Sequence, residues 1–259
     1  MLAWQIITHS VRQVFGNLGP ALRISALLMA IQFSVTTWFT SRMTELGLAD
    51  PLNPPSEVPA GVGASSLAML IVALVAGPWV AVAWHRYVLL EEEPGAALPA
   101  WNGARWAAYI WAMLRVGIVV VGAVFIGLVV LGTILTVLGV MTQSNAPKLT
   151  IIALIAGTYI GYRLCLVMPA AALGERMSIG ASWKATAPGS KQIVFLAMIL
   201  LGMSLSVPVI GVTISAASPA IGMLVQMVIS WGLFLIGASV MTTLYGHFHQ
   251  GRALVGGLK

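Results

Sequence analysis

Long apolar runs separated by short polar segments dominate the pattern of hydrophobic positions along this chain. There are six such runs, covering residues 21–41, 64–84, 115–141, 149–170, 193–214 and 220–245. Each is close to the ~20 residues that an α-helix needs to cross the hydrocarbon core of a bilayer. The pattern predicts an all-α membrane protein with six transmembrane helices, in a single polytopic domain over residues 1–259.

Amphipathic segments that begin with a tryptophan alternate with pairs of apolar runs. The segments cover residues 2–17, 97–112 and 178–188, and their first tryptophans are Trp4, Trp101 and Trp183. In the first segment the apolar residues Ile6, Val14, Phe15 and Leu18 recur at helical spacing on one side. We expect three hairpins, each preceded by an interfacial amphipathic helix, as pseudo-repeats of about 1–90, 91–174 and 175–259.

Lysine and arginine lie mostly on one side of the predicted bundle. If both termini are cytoplasmic, the outer connections 42–63, 142–148 and 215–219 carry only Arg42 and Lys148. The other eleven of the 13 basic residues then lie in inner segments or near inner helix ends. Because cytoplasmic loops retain positive charge, this distribution predicts an orientation with both termini inside, N-in and C-in.

Composition excludes a soluble globular protein. The chain is 59% hydrophobic and 8% charged, whereas soluble domains have about 25% charged residues. A net charge of +6 suggests nucleic acid as the partner of a soluble chain. Here the basic residues lie between apolar runs, so we expect membrane lipids, in particular anionic phospholipids, as partners and no nucleic acid.

The single cysteine, Cys165, excludes an internal disulfide and a cysteine-based zinc cluster.

Two stretches of the chain carry a family resemblance. Residues 84–90 read WHRYVLL, and residues 162–186 begin with YRLCLVMPA and contain LGERMS and ASWKAT. The chain resembles the uncharacterised bacterial six-helix integral membrane proteins related to the membrane domain of some glycerophosphodiester phosphodiesterases. The resemblance covers nearly the whole chain and implies a multi-pass protein of the bacterial inner (cytoplasmic) membrane. The sequence contains no phosphodiesterase catalytic domain, so we do not expect that activity.

Basic residues at the predicted inner ends of the spans form a candidate site. These residues are Arg86, Arg115, Arg163 and Lys184. Because the arginine guanidinium matches the geometry of a phosphate, they are candidates for binding a lipid head group. The alternative is that these arginines anchor helix ends and pair with the glutamates that follow, Glu93 and Glu175.

Tryptophans provide candidate membrane anchors. Trp4, Trp101, Trp106 and Trp183 all lie in the amphipathic segments. Tryptophan is enriched at the depth of the lipid head groups, because its ring is apolar and its N–H is polar. We expect these four residues to be interfacial anchors on the cytoplasmic face.

Prolines interrupt three of the apolar runs. Pro78, Pro169 and Pro208 lie in the second, fourth and fifth runs. A proline within a helix leaves an earlier carbonyl without its backbone donor, and in a membrane a neighbouring group must replace that donor.

Signals for metal binding and catalysis are weak. His9, His85, His247 and His249 map to the inner side, but no carboxylate lies at ligand spacing from His247, so we expect no metal and no cofactor. Residues 237–240, GASV, lack the final glycine of a rhomboid-like serine protease box, and HExxH is absent. These observations indicate a non-enzymatic protein.

The sequence therefore favours a lipid-binding scaffold, or an accessory subunit or assembly factor with a membrane-protein partner, acting at the cytoplasmic face. The main alternative is a transporter or channel for a small or amphipathic solute. A pathway for a charged solute needs ionisable groups inside the spans. The span interiors hold almost none, and the polar exceptions there are Gln32, Gln226 and a few Ser and Thr. A membrane enzyme would need a site at the inner interface.

Overall fold

The computed structural model describes residues 2–48, 59–95, 97–140 and 146–254, and the regular structure within these ranges is helical. The helices are α1 (Leu2–Phe15), α2 (Leu18–Glu45), α3 (Val62–Leu90), α4 (Gly103–Val137), α5 (Ala146–Leu164), α6 (Val167–Leu173), α7 (Ile179–Ala185), α8 (Ser190–Ala217) and α9 (Pro219–Phe248). A single 3₁₀ turn, Ala187–Gly189, leads into α8.

Six helical stretches among the described residues are long and apolar enough to cross a membrane. They are α2, α3, α4, α5 together with α6, α8 with its 3₁₀ turn, and α9. The fourth stretch is interrupted at Cys165 and Leu166, because Pro169 has no N–H to donate to the Cys165 carbonyl and Met168 N donates to it instead, at 3.0 Å. The prediction of an all-α, multi-pass membrane protein is confirmed.

The second amphipathic segment does not form a helix of its own. Residues 103–112 are the first turns of α4, which is 35 residues long and so extends about 50 Å. The Asn102 side chain caps its start by accepting a hydrogen bond from the backbone N–H of Arg105 at 3.2 Å. This corrects the expectation of a separate interfacial helix at 97–112, because nothing after the Asn102 cap interrupts the helical hydrogen bonding.

The amphipathic helix α1 packs through one narrow face against α8 and α9. That buried face consists of Ala3, Ile6, Ile7, Ser10 and Val14. The expected apolar side also included Phe15 and Leu18, but Phe15 is 48% exposed and lies beyond this strip, and Leu18, the first residue of α2, is 43% exposed. Trp4 is 63% exposed. The exposed apolar side chains of α1 therefore point away from the bundle.

Helix α9 is the centre of the bundle and contacts α1, α2, α3, α6 and α8. Polar side chains at successive levels of α9 bond to three of these helices. The bonds join Thr243 to Ser10 of α1 (3.1 Å), Trp231 to Ser25 of α2 (2.8 Å) and Ser239 to Trp84 of α3 (2.8 Å). Such interhelical hydrogen bonds fix which helices pack together and at what height.

A tryptophan of α4 satisfies the backbone carbonyl that the proline in α3 leaves free. Pro78 has no N–H, so the carbonyl of Leu74, four residues earlier, lacks its helical donor. The indole Nε1 of Trp106 donates a hydrogen bond to that carbonyl oxygen at 3.2 Å. Trp106 therefore does more than the interfacial anchoring expected of it, because it ties α4 to the proline site of α3.

This arrangement predicts an energetic coupling between Trp106 and Pro78. We expect Trp106→Phe to lower the free energy of unfolding by about 1–2 kcal/mol, because the Leu74 carbonyl loses its donor. In a Pro78→Ala background the new backbone N–H replaces that donor, so the same change costs about 1 kcal/mol less. Equilibrium unfolding in detergent micelles measures the free energy of unfolding of the two single variants and the double variant, and Trp101→Phe is the control for loss of an indole ring. If the effects of Trp106→Phe and Pro78→Ala are additive, the assigned hydrogen bond is contradicted.

Candidate functional site

The structure places the four predicted basic residues on four different helices. Arg86 lies near the end of α3, Arg115 lies within α4, Arg163 lies near the end of α5 and Lys184 lies in α7. The surroundings of the four side chains differ in burial and in hydrogen-bond partners.

Arg163 is buried and is satisfied by the protein itself. Its side chain is only 4% exposed, and it donates to Thr186 Oγ1 at 2.8 Å, to Tyr159 Oη at 2.7 Å and to the Trp183 carbonyl at 2.7 Å. Its Cζ atom also lies 4.0 Å from the centroid of the Trp183 ring. All three guanidinium nitrogens donate to protein groups, and the side chain is buried, so a lipid head group does not reach Arg163 in this structure.

The backbone of Arg163 is bound to the same short helix as its side chain. Ser182 Oγ donates to the Arg163 carbonyl at 2.9 Å, and both Ser182 and Thr186 are fully buried. We call Tyr159, Arg163, Ser182, Trp183 and Thr186 the Arg163 clasp. It fixes α7 against the end of α5, where the helix leaves carbonyls unsatisfied.

His85 is buried at the centre of a hydrogen-bond chain that joins α3, α4 and α9. Thr242 donates its only hydroxyl proton to the Ala238 carbonyl at 2.8 Å, so its oxygen accepts from His85 Nδ1 at 2.7 Å. With Nδ1 protonated in a neutral ring, Nε2 accepts from Tyr109 Oη at 3.3 Å. Every polar atom of the imidazole is used, which assigns His85 a structural role.

Arg86 lines a cavity of about 240 Å³ between the end of α3, the segment that follows it, and α2. Its wall includes Arg86, Tyr87, Glu92, Glu93 and Trp101, and we call this space the Arg86 cavity. Arg86 Nε donates to Glu92 Oε2 at 2.8 Å, and Nη2 bonds to the other oxygen of the same carboxylate. Arg86 Nη1 donates to the Ala172 carbonyl at 2.9 Å.

The partner of Arg86 is Glu92 and not Glu93. Glu91 ends α3 in the left-handed backbone region, with φ 57°, where residues other than glycine are uncommon. This conformation turns the chain back, so Glu92 reaches Arg86, while Glu93 is exposed on the wall of the Arg86 cavity. The expected pairing with Glu93 is therefore corrected. The sequence indicates a carboxylate partner for Arg86 through the three glutamates at 91–93, but it does not indicate which of the three forms the pair.

Glu175 also has partners other than the predicted arginines. Its carboxylate accepts a hydrogen bond from Tyr245 Oη of α9, and His249 Nε2 lies 3.6 Å from its Oε2. Glu175 therefore links the segment between α6 and α7 to the end of α9.

The remaining predicted residues do not join these groups. Arg115 Nε is buried and has no hydrogen-bond partner, and the Arg115 Cζ lies 6.0 Å from the centroid of the Trp111 ring. Lys184 is exposed. Trp101 is 52% exposed and makes an edge contact with Trp79, with ring centroids 4.8 Å apart. Of the four basic candidates, Arg86 is thus the one that we place on the wall of a polar cavity.

Comparisons with protein families, with curated proteins and with solved structures find no match for this chain. The resemblance to the bacterial six-helix family therefore stays a prediction carried by residues 84–90 and 162–186. Within the described part of the chain, no group of three or more His, Cys, Asp or Glu side chains is arranged to hold a metal ion.

The Arg163 clasp predicts the reactivity of the neighbouring cysteine. Cys165 is the only cysteine of the chain and is 1% exposed. We expect Arg163→Ala to raise its rate of maleimide labelling about tenfold or more in mild detergent, because losing the clasp bonds makes local opening easier. Arg176→Ala, at an exposed arginine close to α7, is the control and should label like the unmodified protein. Equal labelling of both variants would mean that the clasp does not hold this region closed.

Proposed function

We propose that this protein is a non-enzymatic, multi-pass membrane protein that binds phospholipid and acts as a scaffold or accessory subunit. The observation that carries the proposal is the Arg86 cavity. It combines charged groups of both signs with the half-exposed Trp101 ring at the end of a membrane-crossing helix. Head groups lie at this depth, and a few convergent polar groups in a concave site are typical of ligand binding.

The charges of the Arg86 cavity favour a zwitterionic head group. Arg86 is already neutralised by Glu92, and Glu93 adds a second carboxylate to the wall. An entering head group therefore needs a positive charge for the glutamates as well as a phosphate for Arg86. An ethanolamine phospholipid has both, and its ammonium group also suits the face of the Trp101 ring.

Anionic phospholipids, expected from the net charge of +6, bind outside the Arg86 cavity in this proposal. They are attracted to exposed basic residues such as Lys184 at the membrane surface, at about 1 kcal/mol per residue. This attraction is general and does not need a cavity. In the Arg86 cavity the phosphate of any phospholipid has to displace Glu92 from Arg86, but an anionic head group brings no positive charge for the displaced carboxylate or for Glu93.

The proposed location is a bacterial inner membrane, with both termini on the cytoplasmic side. The bond between Ser10 and Thr243 supports termini on one side, because it joins α1 to the last turns of α9. The Arg86 cavity then lies on the cytoplasmic face. Packing of α2 with α3, α4 with α5 and α8 with α9 supports the three hairpins, and α1 and α7 are the candidate interfacial helices.

The orientation predicts opposite labelling of two exposed positions. We expect Ser41→Cys, at the end of α2, to react with a membrane-impermeant maleimide in intact cells. Gln250→Cys, just after α9, should react only after the cells are permeabilised, because positive-inside placement puts that end in the cytoplasm. Both variants carry Cys165→Ala, so that one thiol is present. The reverse pattern would invert the proposed topology.

The proposed head-group site predicts a selective loss of lipid. We expect native mass spectrometry to find more phosphatidylethanolamine than phosphatidylglycerol retained on the protein. The double change Arg86→Gln and Glu92→Gln should lower this retention about tenfold, because a charge-assisted contact contributes about 1.5–3 kcal/mol.

A second arginine–glutamate pair provides the matched control. Arg42 and Glu45 form an exposed pair at 3.1 Å at the end of α2, and changing both to Gln should leave retention unchanged. Equal loss in the two double variants would contradict the proposed site. Selective loss of phosphatidylglycerol would contradict the zwitterionic ligand and support the anionic one.

A further inference from the structure

A second cavity lies between α2 and α9, on another face of α2 from the Arg86 cavity. This α2–α9 groove has a volume of about 490 Å³, within the ~300–1,000 Å³ range of small-molecule sites. Its wall is mainly apolar and includes Phe33 and Trp231. Among the described residues that line it, none is charged, and the polar side chains are Gln32, Thr36, Gln226 and Ser230.

Gln32, one of the lining residues, carries a buried acceptor without a donor. Gln32 Oε1 is buried and has no hydrogen-bond partner. Gln32 Nε2 donates to Thr36 Oγ1 at 3.4 Å, and the Thr36 hydroxyl is itself committed to the Gln32 backbone carbonyl at 2.9 Å. The Trp231 indole donates to Ser25 Oγ at 2.8 Å. The donors of Thr36 and Trp231 are thus in use, and none from Gln226 or Ser230 reaches this oxygen. An unmet buried acceptor costs about 1–3 kcal/mol.

The position of Gln32 restricts what can supply the missing donor. The residue lies near the middle of the 28-residue α2, one of the six membrane-crossing helices. A charged group is costly at that depth, and the groove offers it no counter-charge. A phospholipid does not suit the site, because its head group stays at the interface. The remaining chemistry is a neutral molecule with a long apolar part and one hydrogen-bond donor.

We propose that the α2–α9 groove binds a neutral lipid with a free hydroxyl group, such as a diacylglycerol. The hydroxyl donates to Gln32 Oε1, and the hydrocarbon chains lie along the apolar wall beside Phe33 and Trp231. This site shares no residue with the Arg86 cavity. Its test is therefore independent of the proposed head-group binding.

The test compares a lipid that has the donor with one that lacks it. Radiolabelled 1,2-dioctanoylglycerol and its 3-O-methyl ether are bound to the purified full-length protein in nanodiscs. We expect the free alcohol to bind about tenfold more tightly, because only the alcohol satisfies Gln32 Oε1. Gln32→Leu should reduce binding of the alcohol to the level of the ether and leave the ether unchanged. Equal binding of alcohol and ether to the unmodified protein would overturn the proposal.

Another glutamine supplies the matched control. Gln192 of α8 also has a buried Oε1 without a partner, but it does not line the groove. Gln192→Leu should therefore keep the tenfold preference for the alcohol over the ether, and loss of this preference in Gln192→Leu would also count against the assignment.

If Gln32→Leu makes Cys165 reactive, and so is misfolded, Ala30→Phe is used instead. It fills the groove from an exposed position on α2 and should abolish binding of both lipids, and persistent binding would refute the site.

Discussion

No water is present in the hydrocarbon of a membrane, so each polar group there needs a partner from the protein. The packing around α9 follows from this constraint. Ser239 accepts from the Trp84 indole, and Thr242 accepts from His85, which in turn accepts from Tyr109. These bonds join α3 to α9 and α4 at fixed heights, so sliding α3 along α9 by a single residue, about 1.5 Å, would strain several bonds at once. The polar side chains thus define the arrangement of helices whose apolar surfaces alone would pack in many ways.

The same constraint changes how the arginines are interpreted. An arginine at membrane depth suggests a ligand, but Arg163 meets its needs with a hydroxyl, a phenol, a carbonyl and an indole face, all from the protein. Arg86 meets them with one carboxylate and one carbonyl. A lipid must compete with these bonds. Since the Arg86–Glu92 pair is neutral as a whole, the groups beside it, Glu93 and Trp101, decide which head group the cavity prefers.

The six spans were predictable because helix length and hydrophobicity are local properties of the sequence, and the freed carbonyl at Leu74 follows from Pro78 in the same way. Its donor was not predictable, because Trp106 lies on another helix and reaches Leu74 only after α3 and α4 pack. The choice of Glu92 over Glu93 depends on the left-handed backbone of Glu91, which the sequence does not signal. The start of α4 was missed because the aromatic residues at 101–111 suit an interfacial helix and a long membrane helix equally well.

How a buried polar atom without a hydrogen-bond partner is interpreted depends on its depth in the membrane. The structure leaves buried atoms of Gln13, Gln32, Trp79, Arg115 and Gln192 without partners. Gln13 lines a cavity with His247 and Arg252 at the C-terminal end of α9, where water can reach polar groups. Gln32 lies in mid-helix beside an uncharged groove, where water is scarce and the donors of Thr36 and Trp231 are already used. A ligand from the membrane can then supply the donor, because at this depth neither water nor a charged group does so. The amide of Gln32 therefore indicates a neutral ligand, whereas the charged groups of the Arg86 cavity, at the membrane interface, suit a phospholipid head group.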